Sequence, residues 1–547
     1  MRAFPIQTPI CVAAVLMLAG CGGRAGAPGS SRYDDLVTLF AEWRTFQQPK
    51  LLDGVPDYSA GAMRAQRREL ANYQTRLAAI DLSGWPVAQQ VDLSLVRAEM
   101  NGLEFDHRVH RPWARNPAFY VTVFSSQSDQ PAREGPHAFG SIELWTYQFP
   151  LTPERAVQLG AQLKTIPPLL DQARGNLVEN ARDLWIMGIR SVSQQSTTLA
   201  ALAAQVAGSN PALEADLQRA REATDAFRVW LERQASSKTG PSGVGIDHYN
   251  WHLKHVQLVP YTWQDEVTIM RRELARALAR LALEEHRNRR LPQPVPVASA
   301  EEHGRRFNGA VTEYLAFLRD RDILTIRDYM DPALRARIGR FSDRQPREFF
   351  TEVDYRDPVV MRTHGYHWFD LARAANEPHP SPIRRVTLLY NIFDTRTEGL
   401  ATGWEEMMMH AGLLDARPRS RELIWVLLAQ RAARALGDLM MHANQMTLEE
   451  AVKFAAAQTP RGWLREDGNT VWGEQHLYLQ QPAYGTSYLI GKIQIEQLLA
   501  ERARQVGDEF TLRGFMDELN AAGMIPMSLV RWELTGRDDE IRVMAAP

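Results

Sequence analysis

Apolar residues recur at helical spacing along almost the whole chain, and that periodicity limits the fold more than any other feature. In the stretch 33–46, Leu36, Leu39, Phe40 and Trp43 fall at i, i+3, i+4 and i+7, the stripe of an amphipathic helix. Stretches 63–80 and 91–105 keep similar spacing. Thr152-Pro153-Glu154 reads as an N-cap, a first-turn proline and an acidic first turn, and Asn210-Pro211 opens a helix to about Gln234 in the same way. Helices are expected over 263–287 and 301–319, with 292–296 (PQPVP) as a break and the best boundary between an N-terminal region, 32–296, and a C-terminal region, 297–547. Beyond it, 383–414, 420–445, 448–458, 487–506 and 512–522 continue the pattern. The clearest strand signal is the alternation in 118–125 (AFYVTVFS), and no repeat of fixed period is present. The expected fold is mainly α with little β.

The N-terminus carries a different signal. Arg2 precedes the uncharged apolar run 10–18 (ICVAAVLML), which is shorter than the roughly 20 residues a spanning helix needs, so it reads as the core of a signal peptide, 1–20. Leu18-Ala19-Gly20-Cys21 resembles a bacterial lipobox. That resemblance implies cleavage before Cys21, lipidation of its thiol and attachment to a bilayer. A Gly/Ser/Ala-rich tether follows, completing the segment 21–31. Gly22 is not the acidic residue associated with inner-membrane retention, so the expected address is the outer membrane, facing the periplasm or the cell surface. Cys11 and Cys21 are the only cysteines, so a mature chain beginning at Cys21 contains no intrachain disulfide and depends on its core for stability. With 63 basic and 65 acidic residues, nothing in the charge points to nucleic acid.

Chemistry concentrates in the second half. His364 and His367 lie three residues apart, and on one helix they would share a face, with Asp370 one turn further on. Two imidazoles and a carboxylate from another helix make a three-ligand site for zinc. Glu398 is the candidate third ligand, with Glu405 seven residues on along the same face. The ordinary alternative is a pair of hydrogen-bonded histidines in the core or a cleft. His248, His252 and His255 also share one helical face, but Tyr249 and Trp251 interleave with them and no carboxylate completes the set, so they read as cleft wall. Asp438 and His442 form an i, i+4 pair. Met407 to Met409, with Met440 and Met441, read as core fillers.

These residues also carry a resemblance. Glu398-Gly399-Leu400-Ala401 with Glu405, the segment 431–442 (RAARALGDLMMH), the segment 474–491 containing Tyr478, Pro482, Ser487 and Tyr488, and 515–526 resemble in turn the E-G-W-A-x-x-x-E, R-x-x-R-x-x-x-D-x-x-x-H, P-G-Q-A-x-S-Y and closing segments of the bacterial family designated domain of unknown function 885. Its members are described as lipoproteins or metallopeptidase-like proteins related to helical zinc carboxypeptidases. The resemblance runs from about Asp34 to Leu534. It implies a large helical zincin-like fold with a deep cleft, a zinc-dependent hydrolysis of short peptides, and a part for Asp438 and His442 in orienting a metal ligand, a part that Asp370 is expected to share from its place one turn beyond His367.

The departures fall on the chemistry. The family's H-E-x-x-P-G-H supplies a histidine ligand and a glutamate base, and this chain contains no His-Glu dipeptide. Either His364 and His367 are the two histidines with the residues between them shortened, or His367 alone remains and Met361-Arg362 stand in place of His-Glu. In both cases the base is lost. Glu405, Glu406 or Asp370 is then the expected replacement, with Tyr488 as hydrogen-bond donor to a developing oxyanion. The glutamine of P-G-Q-A is Tyr484 here. Two functions follow: a metal-dependent hydrolase, or a catalytically lapsed relative that binds a peptide or an envelope partner in the same cleft.

Overall fold

The computed structural model describes residues 31–208 and 210–545. The signal segment, Cys21 and nearly all of the tether lie outside the described residues. Helix accounts for 69% of the chain and strand for 2%, and no helix among the described residues is long and apolar enough to cross a membrane.

The helices form where side chains close their ends. Thr152 accepts from the Arg155 amide, and Asn210 accepts from the amides of Ala212 and Leu213. Thr262 and Asp265 form a reciprocal capping box ahead of Trp263–Asn288, satisfying amides that have no partner inside the helix. One large core gathers residues from Leu36 to Val530, drawn from both sides of 292–296. A satellite core joins Pro153–Leu163, Ile166–Asn176, Arg182–Val206 and Pro211–Gln234 to Phe119, Tyr120 and Ile142.

At the centre, helix Asp394–His410 lies along Tyr484–Val506, and Trp263–Asn288 lies along Pro418–His442. Glycines set the first approach. A Cβ on Gly399 would stand 2.4 Å from Cα of Gly491, and one on Gly491 would stand 1.9 Å from the Thr395 carbonyl oxygen, so neither position accepts a side chain without backbone movement.

Three local expectations are corrected. Stretch 118–125 is not a single strand: Pro117–Tyr120 is a 3-10 turn capped by Asn116, and only Val123–Phe124 pairs, parallel, with Ile142–Glu143. Gln195 accepts from the amides of Thr122 and Val123, supplying what a neighbouring strand otherwise would. Stretch 383–414 is not one helix either. Its first part is irregular, with positive φ at Tyr390 and Asn391, and the helix begins at Asp394. Tyr390 packs over Gly102, where a Cβ would meet its ring at 2.3 Å, and the buried Glu99 takes the Leu389 amide. Finally, His364 ends helix Pro358–His364 while His367 belongs to helix Tyr366–Asn376. Gly365 makes the turn between them, where a Cβ would lie 2.9 Å from Leu334.

Candidate metal centre

The turn at Gly365 places the His364 and His367 rings edge to face, 5.1 Å between centroids. Facing them is the loop between Phe124 and Ile142, rich in Ser, Gln, Asp, Pro and Gly. Its Asp129 comes close enough that one ligand atom each of Asp129, His364 and His367 lie within 4.8 Å of one another, and this is the one such set among the described residues. Asp129 and His364 line a cavity of about 370 Å³.

Glu398 adjoins this group through His367. Its Oε2 lies 3.3 Å from His367 Nε2, both side chains are buried, and neither atom has a hydrogen-bond partner. Two ligands about 2.0–2.1 Å from a tetrahedral ion sit roughly 3.3 Å apart, so this pair has the spacing of two ligands of one ion. The other Glu398 oxygen accepts from Gln130 Nε2 at 2.9 Å and from the Tyr484 hydroxyl. Gln130 in turn accepts from Thr397 at 2.7 Å and approaches His367 Nδ1 at 3.3 Å.

Burial opposes charge on His367, but Asp129 and Glu398 outweigh it and hold the imidazole pKa up at about 9. Burial likewise opposes charge on Glu398, and His367, His364 and Tyr484 together bring it down to about 2. Each stabilises the charged form of the other. The donor set suits a dication, since two imidazoles and one or two carboxylates match zinc and similar ions.

Several expected roles change. Glu405 is not available as a base. Both its oxygens accept from Arg431, at 2.7 and 2.8 Å, and one lies 3.1 Å from His364 Nδ1. Arg431 outweighs burial and keeps this carboxylate below its usual range. Glu405 and Arg431 Nη2, 3.1 and 3.2 Å from Nδ1, together steady His364, so Nε2 is the nitrogen left to ligate. Glu406 is held by Arg276 and Lys492. Asp370 is bound by Arg396 and Arg373 and lines a different cavity, so it orients neither histidine.

The phenol on Glu398 belongs to Tyr484, while Tyr488 stands behind it, ring centroids 5.6 Å apart and edge to face. Asp438 accepts from the Gly485 amide at 2.8 Å, and His442 Nε2 lies 3.0 Å from the Tyr478 carbonyl oxygen. Asp438 anchors the start of the helix that carries Tyr484, His442 holds the end of the preceding helix Asn469–Gln480, and neither contacts a candidate ligand. His252 is packed on Phe105, and burial lowers its pKa to about 3.

Sequence reasoning missed Asp129, Gln130 and Glu134. Burial, with Asp129 adding to it, pushes the Glu134 carboxyl up to about 7. The available signal was a long structureless segment inside a helical chain, the kind of loop that tends to carry function.

A mainly helical protein with a histidine- and carboxylate-lined centre is the class defined by this fold and geometry. The chain belongs to the family described as bacterial protein of unknown function (DUF885), whose profile matches residues 43–367 and 365–534. The two matched segments meet at Gly365 to His367, the turn that builds the centre. Among solved structures, a protein from Shewanella oneidensis named as a lipoprotein of unknown function is 16% identical, with 92% of this chain and 97% of that one covered and a TM-score of 0.66. A protein from Colwellia psychrerythraea, also named as a lipoprotein, is 16% identical over 92% and 97% of the two chains, with a TM-score of 0.62. Both share the fold. No curated protein matches the chain.

Proposed function

We propose that this protein is a lipid-anchored protein of the cell envelope that holds a divalent metal ion, zinc being the best fit, with Asp129, His364 and His367, and hydrolyses short peptides beside it. The convergence of these three residues, two of which line a cavity of about 370 Å³, carries the reading. A cavity of that size is at the small end of ligand pockets, about 300–1,000 Å³, and suits a dipeptide or tripeptide. The L-A-G-C motif at Cys21 and the lipoprotein names of the two structural relatives support the anchor and the outer-membrane address.

A bound ion supplies a Lewis acid for an amide carbonyl. The residues of the chain divide the remaining work. Glu405 orients His364. Tyr484 and Gln130 fix Glu398. Glu134, on the loop that carries Asp129 and near enough to feel the charges of Asp129 and Glu398, is assigned the role expected of Glu405, since a carboxyl poised near neutrality exchanges protons most effectively. The alternative, a lapsed enzyme that binds peptides or a partner, draws support from Gln130, which bonds Thr397 and Glu398 and rests on His367.

The test is turnover of a dipeptide and tripeptide library by the purified mature protein supplied with zinc, manganese or cobalt. Cleavage that disappears in Asp129→Asn and His367→Ala supports the enzyme. Peptide binding without cleavage supports the lapsed relative, and the absence of both removes the two readings together.

A further inference from the structure

The cavity beside Asp129 and His364 is also lined by three arginines. Arg362, on the turn before His364, is more than nine-tenths buried and lines it. Only part of its guanidinium is used: Nη2 reaches both oxygens of Asp354 at 3.1 Å, while the buried Nη1 has no hydrogen-bond partner. An unpartnered buried guanidinium N–H is costly unless a ligand completes it. Arg337 and Arg340 line the same cavity, and neither forms an ion pair within 4.0 Å among the described residues. Arg337 is held in place instead, stacked over Trp368 at 3.7 Å and donating to Gln127 at 2.6 Å.

The charges of the lining make the site selective. Three arginines and two carboxylates share the lining: Asp354 offsets Arg362, and Asp129 acts on Arg337 as well as on the histidines, which leaves an excess of one positive charge. Arginine forks match carboxylates in both shape and charge.

We infer that Arg362, assisted by Arg337 and Arg340, forms a subsite for a carboxylate, so that the ligand of this cavity is an acyl amino acid or short peptide presenting its free C-terminal carboxylate. The inference rests on reading this cavity as the substrate site, but it does not require the metal. It also gives a purpose to the arginine that stands near the position of the family's missing Glu. Paired with Asp354, Arg362 adds little net repulsion against a dication, and it keeps one guanidinium nitrogen without a partner among the described residues.

The experiment is calorimetric titration of the purified mature protein with acetyl-Ala-Ala, its C-terminal amide and inorganic phosphate, in zinc-loaded and chelator-treated samples. The expected result is that the free acid binds about ten- to a hundredfold more tightly than the amide, the difference made by one or two charge-assisted hydrogen bonds, and that this preference survives metal removal. Arg362→Lys is expected to cut the preference several-fold. Arg340→Gln, an exposed change that does not threaten the fold, is expected to weaken the acid and leave the amide unchanged. Equal affinity for acid and amide, no measurable binding of the acid, tighter binding of phosphate than of the acid, or an undiminished preference in both folded variants would overturn it. Loss of zinc uptake with the preference intact would count against the metal reading alone.

Discussion

Helices Arg182–Val206 and Pro211–Gln234 on the one hand, and Asp394–His410 and Tyr484–Val506 on the other, are paired neighbours built on opposite plans. The first pair buries one stripe, including Val192, Leu199, Leu202, Leu213, Leu217 and Phe227, with a few uncharged or edge polar residues such as Gln195 and Thr224, and turns most of its charged residues to solvent. Asp394–His410 and the first half of Tyr484–Val506 are buried on nearly every side, and Arg396, Glu398, Glu405, Glu406, Ser487 and Lys492 are buried with them. Charges inside a core persist only when paired and hydrogen-bonded. The partners here come from other elements: Arg431, Asp370, Arg276, His367 and the loop bearing Gln130. The outer helices are held by apolar area. The central ones are held by area together with a polar network, and the candidate site is the part of that network left incomplete.

This contrast can be tested by substitution. Breaking the buried pair with Arg431→Leu is expected to cost about 3–5 kcal/mol, because Glu405 is then left buried and uncompensated. Adding Glu405→Leu should restore much of it, and urea unfolding of the two variants measures both. Equal stability of the single variant and the parent would mean that the network is solvated. Gly491→Ala is next, at about 3 kcal/mol or more, since the added carbon would collide with the backbone of the facing helix.

The His367–Glu398 pair gives a smaller, pH-dependent effect in the metal-free protein. His367 is raised from 6.5 to about 9, so its contribution is complete below 6.5 and is lost as pH rises towards 9. Glu398 is lowered from 4.5 to about 2, so its contribution is complete above 4.5 and is lost as pH falls towards 2. The pair should therefore stabilise most between pH 4.5 and 6.5. Denaturation of the parent and of His367→Ala at pH 5.5 and 9 should differ by about 1–3 kcal/mol more at the lower pH; a constant difference would show that the pair does not titrate this way. On the exposed face of Trp263–Asn288, by contrast, Arg280→Ala should change stability by less than about 0.5 kcal/mol.

The same contrast explains what could be read in the sequence. The one-sided helices announced themselves by period, and two of their caps by Thr152 and Asn210. His364, His367 and Glu398 stood out as unusual donors among apolar neighbours, and the structure brings His367 against Glu398. What escaped was long-range. That Arg431 occupies Glu405, that Tyr484 lies in front of Tyr488, and that Asp129 arrives from a loop more than two hundred positions away are consequences of packing, which spacing along one helix does not encode. The turn at Gly365 was hidden for a related reason. Three-residue spacing fits a helix face, and only the crowding by Leu334 reveals that the helices separate there.

The central claim concerns one ion per chain, and metal analysis of the mature protein after zinc loading and exhaustive dialysis tests it directly. The account predicts close to one zinc per chain in the parent and in Tyr488→Phe, and loss of that zinc in both Asp129→Asn and His364→Ala while each variant keeps its helical circular dichroism. A parent that retains no zinc, or variants that retain it fully, would contradict the account.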